Sequence, residues 1–103
     1  MDLAHSEMEA ADKAFTDGNP DLGHKLAAAA GKDADESGKA AVDSGKRLKD
    51  TEIDLRRLQM RTRDIAQSLA FEDRPPIEEI VKRIELMRET ILDRMFGGRK
   101  KDK

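Results

Sequence analysis

Three consecutive seven-residue blocks begin at Gly31: GKDADES, GKAAVDS and GKRLKDT. Each opens on Gly-Lys, carries Ala or Leu in fourth place and closes on Ser or Thr. A seven-residue repeat keeps one stripe of a helix turned toward a neighbour, so this feature commits the middle of the chain to paired helices. With Ala34 as position a, the a positions are Ala34, Ala41, Leu48, Leu55, Thr62 and Leu69, and the d positions are Ser37, Ser44, Thr51, Leu58 and Ile65. No stretch alternates apolar and polar residues with β-branched enrichment, so no sheet is expected. The fold expected is all-α: an elongated antiparallel helical hairpin or coiled-coil bundle with an N-terminal pair of shorter helices.

The breaks between helices are written in Gly, Asn and Pro. Gly18 suits the left-handed residue past a helix end. Asn19 supplies an N-cap oxygen and Pro20 fits the first helical position. Asp33, with Glu36 three residues on, resembles a capping box after a stop at Gly31. Pro75 and Pro76 stop the preceding helix, and Pro76 can open the next. These signals predict helices over about 3–16, 20–30, 33–71 and 76–96. Together they form one helical domain, 1–98, followed by a basic disordered tail, 99–103. The third helix would run roughly 58 Å at 1.5 Å per residue.

The seam changes along that frame. From Leu48 to Leu69 it is mostly large and aliphatic, whereas from Ala34 to Ser44 it holds only Ala and Ser. Gly31, Gly38 and Gly45 share the adjacent e position. A Gly inside a helix costs about 0.5–1 kcal/mol relative to Ala, so two interior Gly at one heptad position need a reason. Three reasons stand open: close approach of a neighbouring backbone, a groove for large side chains such as Met8 and Phe15, or a half that orders only on binding. The last helix carries Ile77, Ile80, Ile84, Met87 and Ile91 at a/d spacing. A short Pro-Pro loop makes it the antiparallel partner of the Leu48–Leu69 segment. Leu3, Met8, Ala11, Ala14 and Phe15 line the first helix, with Leu22, Leu26, Ala29 and Ala30 on the second.

Charged residues make up 41% of the 103 residues, against about 25% in ordinary domains. There is no cysteine, which excludes a disulfide scaffold, a thiol enzyme and a cysteine-bound metal. No window nears the roughly 18 apolar residues of a membrane span, and the N-terminus has no basic segment followed by an apolar run. A cytoplasmic protein is expected. The net charge of −2 argues against a general nucleic-acid binder. His5 and His24 are the two histidines, without the spacing of a metal helix, so no metal or other cofactor is expected. No Gly-rich phosphate loop and no nucleophile–base set occurs, so neither an enzyme nor a small-molecule substrate is expected.

What remains is surface. Ile53 and Met60 lie opposite the a/d seam, seven residues apart, and Leu86 and Leu92 lie off the seam of the last helix. These four are the candidate contacts of a non-enzymatic interaction module. It would be a small adaptor, assembly factor or chaperone-like subunit that pairs by coiled-coil or helix-in-groove contacts with another protein or with itself. The alternative is a nucleic-acid-associated protein using Arg56, Arg57, Arg61 and Arg63 with Arg99, Lys100 and Lys101 of the tail. Interleaved acids such as Glu52, Asp54 and Asp64 and the lack of an aromatic among these arginines count against it. One consequence tests the hairpin directly. Replacing Ile84 by Asp buries an unpaired charge, so thermal unfolding followed by circular dichroism should show a loss of about 3 kcal/mol or more.

Overall fold

The computed structural model describes residues 1–97. Among them are four helices: α1 over Asp2–Thr16, α2 over Pro20–Ser44, α3 over Leu48–Ser68 and α4 over Arg74–Met95. A single 3-10 turn, Phe71–Asp73, joins α3 to α4. The all-α bundle is therefore what the chain forms, in a body of 50 × 25 × 16 Å.

The turn from α1 to α2 is built as its residues demand. Gly18 takes φ 83°, the Asn19 side chain accepts from the Leu22 amide at 3.3 Å, and Pro20 opens the helix. The helix lengths divide differently from the sequence expectation. The helix expected to stop at Gly31 continues to Ser44, and the helix expected over 33–71 is interrupted at residues 45–47. Gly45 caps α2 at φ 70° and ψ 14°, and its amide bonds to the Ala41 carbonyl. The Ser44 hydroxyl donates to the Ala41 carbonyl and accepts from the Lys46 amide, and Arg47 then adopts φ 58°. The Asp33–Glu36 pair caps nothing, because the backbone around it is helical. At the far turn α3 ends at Ser68 and α4 already begins at Arg74. Both prolines sit in its first turn, where amides have no intrahelical acceptor to lose.

α1 packs on α2 and α3 packs on α4, each as an antiparallel hairpin. The hairpins join through α2 and α4, which run parallel. The register is explicit: a Cβ at Gly31 would meet Ile80, at Gly38 Met87 and at Gly45 Arg94. Asp35 pairs with Arg83 between the first two, and the Val42 carbonyl accepts from Arg94 at 3.1 Å near the last. A repeat of seven on α2 thus meets a repeat of seven on α4. Of the three readings of the glycines, a groove for large side chains is the one observed, but those side chains come from α4. Phe15 instead covers Gly23, and Met8 is fully buried in the shared core with Leu55, Leu58, Ile77 and Ile84.

At Gly38 an added methyl would overlap Met87 at Cγ and Sδ. Ala gains about 0.5–1 kcal/mol of helix propensity over Gly, while overpacking costs about 1–3 kcal/mol. Gly38→Ala should therefore destabilise the protein by about 1 kcal/mol in urea denaturation. In a Met87→Ala background the same substitution should become neutral or stabilising.

Candidate interaction surface

The expected contact residues fall into two kinds. Met60 and Leu86 are 60% and 62% exposed, each near the middle of its helix. Ile53 and Leu92 are half-buried, Ile53 on the flank of α3 and Leu92 one turn beyond Arg88 on α4. Further large apolar side chains are exposed: Phe71, 82% exposed on the 3-10 turn, Met95 and Phe96 at the end of α4, and Leu3 and Leu22, which spacing places on the packed stripes of α1 and α2 but which lie near the helix starts, outside the contact between them.

The four helix arginines do not form one basic stripe. Arg56 bonds to Glu52 at 2.8 Å. Arg61 crosses to α1, donating from Nε and Nη2 to the two Glu9 oxygens at 2.8 and 2.9 Å and from Nη2 to Asp12 at 2.6 Å. That pairing holds the Glu9 carboxyl below the usual carboxylate range. Arg57 and Arg63 are exposed and make no ion pair among the described residues. Arg99, Lys100 and Lys101 lie outside the described residues.

Arg61 spans a polar cleft between α1 and α3 of about 530 Å³, lined by Asp2, His5, Ser6, Glu9, Asp54 and Arg57. His5 stands in this cleft. His24 stands at the opposite end of the hairpin, with its ring edge-on to Phe15 at 5.0 Å and Nε2 3.4 Å from Asp73. The two histidines are not brought together, and no group of three or more potential metal ligands forms among the described residues. No helix among them is long and apolar enough to cross a membrane.

A buried charge pins α3 to α4. Glu52 is 3% exposed; it accepts from Arg56 and from Arg88 Nε at 3.0 Å, while Arg88 Nη1 donates to Gln59 at 2.7 Å. Both carboxylate oxygens are satisfied, which is the condition for burying a charge. Sequence spacing proposes an i,i+4 pair for Glu52 and Arg56, but Arg88 lies 36 residues away and no local pattern connects it.

On the outer face of α4, Lys82, Glu85, Leu86 and Glu89 surround a shallow hollow of about 260 Å³. These residues stand at i, i+3, i+4 and i+7, the four-residue hole that receives a knob in helix pairing. Of these four, spacing singles out Leu86 as a contact candidate; the fold leaves the face around it exposed. Comparison with known family models, with curated proteins and with solved structures finds no match.

One titration is built into the α1–α2 seam. Glu7 Oε1 is shielded from solvent and meets no donor among the described residues. Hydrogen bonding to Asp33, followed by burial and the charge on Asp33, pushes the Glu7 carboxyl up from 4.5 to about 6. That bond between two carboxyls requires a proton, so the folded state binds the proton more tightly than the unfolded chain. Its stabilisation is complete below pH 4.5 and is lost as pH rises through about 6. Glu7→Gln supplies a permanent donor. In urea denaturation at a series of pH values, the variant's stability relative to the parent should rise across this window and level off above it.

Proposed function

We propose that the chain is a non-enzymatic protein-interaction module, a small helical adaptor, assembly factor or chaperone-like subunit, that binds through exposed helix faces. The observation that carries this reading is the placement of Met60 and Leu86. Each is a large apolar side chain, more than half exposed, set among charged residues on a helix that is otherwise well packed. An apolar centre within a polar rim is the usual anatomy of a recognition patch. Phe71 and Phe96 extend the exposed apolar surface at the two ends of the bundle.

The nucleic-acid reading receives less support. Arg56 and Arg61 are already neutralised within the chain, and the neighbouring outer face of α4 is acidic. We take the cytoplasm as its place of action.

The test is affinity capture with immobilised wild-type protein against Met60→Asp and Leu86→Asp variants, each first shown to keep its helical circular dichroism. A discrete protein held by the wild type and released by either variant is the expected outcome. Retention that is equal on all three surfaces would overturn the reading. Retention abolished by nuclease would replace it with nucleic-acid binding.

A further inference from the structure

Resting on the interaction reading above, we propose that the partner is a second copy of this chain. The outer face of α3 in one copy docks on the outer face of α4 in the next. Two independent features of these faces match: their charge and their relief.

The exposed face of α3 carries Arg57 and Arg63 around Met60, with Lys49 three turns away; its exposed acids are Asp64 beside them and Asp50, which is paired with Arg47. The exposed face of α4 carries Glu78, Glu79, Glu85 and Glu89 around Leu86, with Lys82 as the base beside them. Arg83 belongs to the α2 contact through Asp35 and is already satisfied. Neither Arg57 and Arg63 on one face nor Glu85 and Glu89 on the other have ion-pair partners among the described residues. Opposite charge directs encounter and penalises wrong pairings.

The relief agrees with the charge. Met60 projects from α3 as a knob, 60% exposed. On α4 the hollow formed by Lys82, Glu85, Leu86 and Glu89 is a ready hole with Leu86 in its wall. Methionine suits such a socket because its unbranched side chain adapts to an irregular wall. With Met60 seated there, Arg57 and Arg63, one turn to either side of it, bring two cations over a hole whose rim holds Glu85 and Glu89. The same acidic face repels nucleic-acid phosphate, which favours a second copy over an oligonucleotide as the occupant of the Arg face.

The contact is heterologous, using α3 of one copy and α4 of the other. Each added copy leaves one face of each kind open, so assembly continues into a ring or an open chain rather than stopping at a two-fold dimer.

The experiment uses two double variants of the full chain, Arg57→Glu/Arg63→Glu and Glu85→Arg/Glu89→Arg, with molar mass followed by light scattering from low to high micromolar concentration. The wild type should exceed the monomer mass as concentration rises, and high salt should reverse this. Each variant alone presents two faces of like charge and should stay monomeric. Their equimolar mixture restores opposite charges at both contacts and should associate again. A wild type that is monomeric throughout would overturn the proposal, as would a mixture that stays monomeric or variants that associate as the wild type does. A short single-stranded oligonucleotide held by the wild type and released by the Arg57→Glu/Arg63→Glu variant would also overturn it. If the purified wild type stays monomeric while capture of another protein still depends on Met60 and Leu86, the self-partner is wrong and the interaction reading stands.

Discussion

Two parallel helices without a loop between them hold this bundle together, and they do so by leaving material out of one of them. α2 offers hydrogen where α4 offers Ile80 and Met87. A Cβ at Gly38 would overlap the Met87 side chain, and one at Gly31 would press tightly on Ile80, so the close fit of α4 on α2 depends on both glycines. Because each glycine weakens its own helix by about 0.5–1 kcal/mol, α2 depends on its neighbours for stability. It obtains that support from α1 on one side and α4 on the other, which buries Ala27, Ala30, Ala34 and Ala41. The polar contacts along the seam, the Asp35–Arg83 ion pair and the hydrogen bond from Arg94 to the Val42 carbonyl, match its parallel register.

The same economy governs the charged residues. A chain with so few large apolar side chains still has to dispose of many ionic groups, and several of them are drawn into the joints. Glu52 and Arg88 fasten α3 to α4, and Arg61 fastens α3 to α1. The α1–α3 joint is the more open of the two, with a cleft beside the Arg61 clamp. The charges without ion pairs among the described residues lean opposite ways on the two outer faces: mostly basic on α3, with Asp64 among them, and mostly acidic on α4, with Lys82 among them. That segregation makes the outer faces chemically distinct.

The sequence revealed local structure more readily than the contacts between distant segments. Gly18-Asn19-Pro20 specified a helix end, a cap and a restart within three residues, and the Pro-Pro turn with aliphatic stripes on both sides specified the α3–α4 hairpin. Gly31 misled because the cue for a break is local, whereas its purpose is the Ile80 side chain 49 residues on. The heptad frame misled for a related reason. It runs unbroken through Gly45, yet Gly45 and Arg47 both turn to positive φ there, so one pattern serves two helices. For the candidate surface, spacing identified Met60 and Leu86 as outward-facing. It could not show that Leu92 and Ile53 would be partly covered, or that Arg61 would be claimed by Glu9 and Asp12, since those depend on how the hairpins lie side by side.

The parallel seam also bears on the order in which the chain acquires structure. Contacts within each hairpin are local and close quickly, whereas those between α2 and α4 join residues about fifty positions apart and must wait for a long loop to close. During synthesis α1 and α2 emerge complete while α4 does not yet exist. The glycine face of α2 then has no side chains to receive. The nascent chain carries an unfilled furrow until α4 leaves the ribosome, and a chain ending before Ile80 would never fill it.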